Sequence, residues 1–408
     1  MDRETLSIVI TGHVDHGKST LIGRLLLETG SLPKEKLVEI KKISDKLGKE
    51  TEIAYLIDQF KEERIKDMTI DTTQIFFKTR KRDYIIIDCP GHLELIKNMI
   101  TGATLAETAI LIIDCTEGIM EQTRRHAYII SMIGIRNVIV VINKMDLVNY
   151  NQKKFIEIET AINAFLKTLD MEPCFILPIS AKDGVNITKK CSKLNWYNGP
   201  SFLKALDMLK PSREKANRSL RLPVQDVYDI EKKRVLVGKI LSGSLVKGKE
   251  ILVLPGFAKA KIADIKIFGK KPKKVSNREN IGVTLDRDID VKRGFVIVDK
   301  ESANRLEDRF QCNIFWMSKK PLEINKPFSI RCATQEVNCI AEKIERKINS
   351  STLEIVYDNP DKVGLNESAK VSFKTERPIV IEEFSRLKEL GRFVIEGDST
   401  LLGAGIIT

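Results

Sequence analysis

Eight residues constrain this chain more than any other feature: Gly12-His13-Val14-Asp15-His16-Gly17-Lys18-Ser19. They form a G-x-x-x-x-G-K-[ST] phosphate loop between an apolar run, Leu6 to Ile10, and an apolar helical stretch, Thr20 to Glu28. Strand, glycine-rich loop and helix are the context that this motif needs. Gly12 and Gly17 let backbone N–H groups and a helix N-terminus face phosphate oxygens, Lys18 reaches the β and γ oxygens, and Ser19 is left to bind Mg2+.

The first two hundred residues keep alternating short apolar strands with helical stretches. Leu6 to Ile10, Tyr84 to Asp88, Ala109 to Asp114, Val138 to Asn143 and Phe175 to Ile179 read as strands, and Gln152 to Leu169 has a period near 3.6. The expectation is an α/β domain with a doubly wound parallel sheet, whose ligands sit at the carboxyl ends of the strands. After a charged linker around Pro211 the pattern changes to short alternating runs broken by Gly, Asn and Asp, which predicts two small antiparallel β-barrels. The expected domains are 1–212, 213–304 and 305–408.

The other site residues fall in the loops after the strands. Asp88-Cys89-Pro90-Gly91 offers a carboxylate to hold Mg2+ through water and a Gly91 N–H for a γ-phosphate. Asn143-Lys144-Met145-Asp146 names the base: the Asp146 carboxylate accepts from both N1–H and the exocyclic amine of guanine, a donor pair that adenine lacks. Ser180, Ala181 and Lys182 supply backbone to the guanine carbonyl and a lid over the ring. These residues point to GTP and GDP. Thr69 is the candidate to complete the Mg2+ shell, and His92 the candidate to orient the attacking water. His126 follows Arg124 and Arg125 on a predicted helix and reads as a surface or partner contact.

Composition limits the remaining classes. Apolar runs are far shorter than the roughly 18 residues of a membrane span, and Met-Asp-Arg-Glu at the start lacks a signal-peptide pattern, so a cytoplasmic protein with no membrane partner is expected. Seven scattered cysteines with no Cys-x-x-Cys predict buried, reduced thiols. Of the net charge of +12, residues 213–408 carry most, with the densest cluster from Lys259 to Arg278. That cluster reads as a solvated lysine face rather than a track for a phosphate backbone.

This set of loops, with His92 at the water-positioning place, resembles the translation-factor class of GTPases over essentially the whole chain. The resemblance implies a GTP-binding domain followed by two barrels. The insertion from Ser31 to Arg64 is similar to the branch that holds the archaeal and eukaryotic aminoacyl-tRNA elongation factor and the GTPase subunit of bacterial heterodimeric sulfate adenylyltransferase. Four stretches favour the sulfate subunit: Gln122 to His126, Thr284 to Gly294, Phe315 to Leu322, and Leu402 to Ile407. The expectation is therefore a GTPase subunit that couples hydrolysis to formation of adenylyl sulfate by an ATP-sulfurylase catalytic subunit, in a heterodimer or higher assembly. The alternative is an elongation-factor-like carrier of aminoacyl-tRNA, which His16 favours. Asp67 and Met68 stand where the family has glycine and isoleucine, and so bear on the rate of hydrolysis.

Overall fold

The computed structural model describes residues 5–32, 73–88, 106–209, 219–230, 233–267, 272, 274–276, 279–300, 306–349, 355–397 and 400–408. The chain divides into two units with the boundary at 212/213.

The first unit is built on six strands: β1 (Thr5–Gly12), β2 (Thr73–Lys78), β3 (Asp83–Asp88), β4 (Thr108–Asp114), β5 (Asn137–Asn143) and β6 (Phe175–Pro178). Their order is β2-β3-β1-β4-β5-β6; β2 runs antiparallel to β3, and all other neighbours are parallel. β4 and β5 are continuous runs of Ile, Val and Leu because a central parallel strand is covered on both faces. The helix Lys18–Glu28 buries Leu21, Ile22, Leu25 and Leu26, a stripe at helical spacing, in the core that holds Ile8, Ile10, Ile110 and Ile112. The helix Gln152–Thr168 likewise buries one stripe, whereas Glu121–Met132 is buried all round from His126 to Ile130. Strand order reverses at β1, so the carboxyl ends of β1 and β4 frame the crevice where ligands of such sheets bind. The doubly wound sheet expected from the sequence is present.

The second unit is all β but for a single short turn of helix among its described residues. Its first part contains β7 (Arg221–Ile230), β8 (Lys233–Lys239), β9 (Ser244–Val246), β10 (Glu250–Leu254), β11 (Ala258–Lys266), β12 (Lys274–Ser276), β13 (Asn280–Leu285) and β14 (Val296–Asp299). Six of these close a barrel in the order β10-β11-β13-β8-β7-β14. The rest of the unit contains β15 (Leu306–Trp316), β16 (Leu322–Glu323), β17 (Pro327–Cys332), β18 (Gln335–Ile348), β19 (Ile355–Asp358), β20 (Lys362–Val363), β21 (Ser368–Val380), β22 (Arg392–Gly397) and β23 (Thr400–Ile407). A seven-stranded sheet, β17-β22-β23-β15-β21-β18-β19, returns on itself through pairing of β17 with β18. Leu252, Leu254, Val296 and Val298 of the first barrel belong to the same apolar core as Phe310, Trp316, Phe373 and Phe393 of the second. Apolar side chains thus run continuously from one barrel to the other.

Candidate nucleotide site

Backbone geometry of the phosphate loop follows from its two glycines. Gly17 is left-handed at φ 92°, and a Cβ there would strike the Asn143 amide. At Gly12 a Cβ would stand 2.5 Å from the Ile112 carbonyl oxygen, so β1 meets β4 closely only because no side chain intervenes. Asp15 is also left-handed, at φ 63°. Lys18, the first helical residue, donates from Nζ to the carbonyls of Gly12 at 3.0 Å and His13 at 2.6 Å, so the lysine spans its own loop. Ser19 and Thr20 follow on the first helical turn, and Val14 is a half-buried turn residue of the loop.

Asn143 fastens this loop to the segment that follows β6. Its Nδ2 donates to the His16 carbonyl at 2.9 Å, and its Oδ1 accepts from the Ala181 N–H at 2.9 Å. Met145 N–H donates to the Ile179 carbonyl at 3.1 Å, and Ser180 Oγ accepts from the Asp183 N–H at 3.1 Å. Arg24, on the helix after the phosphate loop, donates to the carbonyls of Ala181 and Lys182. Three segments distant in sequence therefore converge. Within them, Asp146 Oδ1 is buried and accepts no hydrogen bond from the described residues. A buried carboxylate oxygen without a partner is costly in a folded chain, and it suits a base that brings two N–H donors. The glycine cradle and this oxygen fit a guanine nucleotide.

A second set of contacts comes from residues that the motifs omit. Asp114 ends β4, is 1% exposed, and pairs with Lys144 Nζ at 2.7 Å. Burial pushes its carboxyl up, but the bonds from Lys144 and from Thr116 more than reverse this and hold it below the usual value. His16 is fully buried between the same strand end and Glu117, whose Oε2 lies 3.1 Å from Nε2. Desolvation depresses the imidazole pKa, partly offset by Ile112 and Glu117. A carboxylate closing an otherwise apolar central strand was the sequence signal for this turn.

His126 corrects an expectation. It is 1% exposed rather than on the surface, its Nδ1 has no hydrogen-bond partner among the described residues, and burial with the nearby charges of Lys18 and Arg125 lowers its pKa to about 3. On the same helix Arg125, only 13% exposed, pairs with the exposed Glu121 at 2.6 Å, and His126 is turned inward. Cys174 also departs from the expectation of buried thiols, since it is exposed. Asp88 ends β3 beside Ile10, which sets its backbone next to the strand that leads into the phosphate loop. Thr69, Gly91 and His92, with Asp67 and Met68, lie outside the described residues.

A family model described as the elongation factor Tu GTP binding domain matches residues 3–212, and one described as GTP-eEF1A C-terminal domain-like matches residues 309–408. The chain belongs to the elongation factor Tu/1-alpha family of GTPases. Elongation factor 1-alpha of Pyrococcus furiosus is 35% identical over 100% of this chain and 98% of its own length. The Archaeoglobus fulgidus protein of that name gives the same figures, and that of Metallosphaera sedula is 36% identical over 98% and 96%.

These relatives overturn the sulfate-activating expectation and, with it, the ATP-sulfurylase partner. The four stretches that suggested it are largely explained by packing. Phe315, Trp316 and Leu322 are fully buried in the second barrel. Gly403 and Gly405 sit against Trp316 and Phe393, where a Cβ would stand 3.0 and 2.6 Å from the rings. Within Thr284 to Gly294, the carbonyls of Ile289 and Val291 accept from Arg234 at 2.9 and 3.0 Å. Such residues record how a family member packs rather than which partner it serves.

Proposed function

We propose that this family member is a Mg2+-dependent GTPase that carries aminoacyl-tRNA, binding it in the GTP form and releasing it after hydrolysis. The observation that carries this reading is the end-to-end match to elongation factor 1-alpha, over 100% of this chain and 98% of the Pyrococcus furiosus relative. The uncommitted Asp146 oxygen supports guanine as the base. Ser19, Thr69 and Asp88 would hold Mg2+, which neutralises charge on the β and γ oxygens, while His92 would orient the attacking water. The basic excess of residues 213–408 supports a polyanionic partner. In the cluster from Lys259 to Arg278, Lys259 and Lys261 are exposed on β11, and Lys261 faces Glu250 at 3.7 Å.

Retention of aminoacyl-tRNA on the full chain tests the proposal, with a non-hydrolysable GTP analogue or GDP bound. Binding is expected with the analogue only, and should fall on the order of 10³-fold between 50 and 200 mM salt if about six phosphates are neutralised. Equal retention with GDP and the analogue, or none with either, would overturn the carrier reading. A separate His92→Ala chain should bind GTP nearly as well as the parent and hydrolyse it far more slowly.

A further inference from the structure

Asp146 can read guanine only if it stays an acceptor that no protein cation has claimed. One cation on the same tight turn is Lys144, two residues earlier. Lys144 is partly exposed, at 32% of its side chain, so solvent alone does not keep its ammonium away. Yet Asp146 Oδ1 is buried with no hydrogen-bond partner among the described residues, while Lys144 Nζ lies 2.7 Å from Asp114 Oδ2.

Asp114 is fixed for this task from several directions. Its Oδ1 accepts from the Thr116 backbone N–H and from the Thr116 hydroxyl, both at 2.7 Å, which leaves Oδ2 for the lysine. The next residue holds the Lys144 backbone: Cys115 N–H donates to the Asn143 carbonyl and Cys115 Sγ to the Lys144 carbonyl, each at 3.0 Å. Lys144 is thereby kept left-handed at φ 61°, a conformation that a lysine adopts only when its surroundings impose it. Four consecutive residues, Asp114 to Glu117, thus touch both the base-reading turn and, through His16, the phosphate loop.

We infer that Asp114 is a specificity-determining residue of the GTP site that acts through Lys144, drawing its ammonium away from Asp146 so that Asp146 remains an open acceptor for the guanine N1–H and amine. The inference rests on the guanine reading of Asp146. Asp114 touches no nucleotide atom in this scheme; it is a positioning residue. Without that charge the Lys144 ammonium is released on the turn that also carries Asp146, and a Lys144–Asp146 pair formed in its place must be broken before the base can bind.

Competition of GDP and inosine diphosphate against a fluorescent GDP, on the full chain and on Asp114→Asn, Lys144→Met and the double variant, tests this, with a melting curve for each protein. Inosine diphosphate lacks the exocyclic amine that Asp146 accepts. Asp114→Asn should weaken GDP by about tenfold, the low end of what a charge-assisted hydrogen bond is worth. Inosine diphosphate should lose less, so that discrimination contracts. In the Lys144→Met background the same substitution should change neither affinity. Unchanged affinities in Asp114→Asn, equal losses for the two nucleotides, or a loss that persists without Lys144 would each overturn the inference. If Asp114→Asn does not fold, the double variant against Lys144→Met decides: equal affinities support the role and a further loss refutes it. A parent chain that bound both nucleotides alike would instead remove the base reading, and the inference with it.

Discussion

Asn143 and His16 are 127 residues apart in sequence and joined by one hydrogen bond, from the Asn143 amide to the His16 carbonyl at 2.9 Å. The same side chain accepts from Ala181 N–H, so one buried amide holds the phosphate loop and the guanine loop in register. Replacing Asn143 by Ala leaves a buried carbonyl and a buried N–H without partners. Each costs about 1–3 kcal/mol, so the first unit should lose roughly 2–6 kcal/mol in urea unfolding. Nucleotide affinity should fall as well, because the loops are no longer aligned. A variant with parental stability and affinity would show that the amide is replaceable by water.

Gly17 contributes to the same junction. A methyl group there would meet the Asn143 amide and would also have to tolerate a left-handed backbone. Gly17→Ala should therefore reproduce the Asn143→Ala loss of nucleotide affinity, read by equilibrium titration with fluorescent GDP. Parental affinity in Gly17→Ala would mean that the loop relaxes without cost.

Asp146→Asn exchanges an acceptor for an amide that also donates. Xanthine presents a carbonyl where guanine has its amine, so preference should move from GDP towards xanthosine diphosphate, by a margin up to about 10⁴ for a buried pairing of this kind. Competition binding with the two diphosphates measures it. Unchanged preference would mean that the orphaned Oδ1 does not face the base.

The stretches legible in the sequence are those whose geometry is local. The phosphate loop is read from eight consecutive residues, and β4 and β5 from unbroken runs of Ile, Val and Leu. Asn143 and Asp146 are read from one tetrapeptide. Asp114 was passed over because its meaning lies in a lysine thirty residues away, which only the pairing of β4 with β5 brings near. His126 reads as exposed because two preceding arginines suggest a polar face, whereas the helix is buried on every side from His126 to Ile130. The branch assignment failed for a related reason: buried aromatic and glycine positions such as Trp316 and Gly403 carry packing information that reads like a family signature.

His16 and His126 both have depressed pKa values, chiefly from burial, so the native chain keeps them neutral over a range where the unfolded chain binds protons. Stability from these two groups is present above the unfolded value of about 6.5 and is lost as pH falls below it. For His126 the loss continues towards a folded pKa of about 3. His126→Gln cannot take up that proton. Its stability relative to the parent should therefore improve by up to about 1.4 kcal/mol for each pH unit below roughly 6, whatever its offset at pH 7. Urea unfolding of both proteins at pH 7, 6 and 5 measures the difference, and a gap independent of pH would place His126 in contact with water.

Arg221 and Glu382 form the corresponding buried relationship in the second unit. Each is 8% exposed, and Glu382 Oε1 accepts from the Arg221 Nε at 3.0 Å and Nη2 at 2.7 Å. Arg221 opens β7 of the first barrel, and Glu382 follows β21 of the second, so the pair stands where the two barrels share their core. A buried pair adds little over an apolar replacement of equal size, because desolvation offsets the attraction, but removal of one partner strands the other charge. Glu382→Leu and Arg221→Met should each destabilise the second unit by about 3–5 kcal/mol, and the double variant should recover most of that loss. A double-mutant cycle by denaturant unfolding reads the coupling directly. If the double variant lost the sum of the two single losses, the ion pair would not be what joins the barrels at this point, and the shared core of Leu252, Val296 and Trp316 would carry the interface alone.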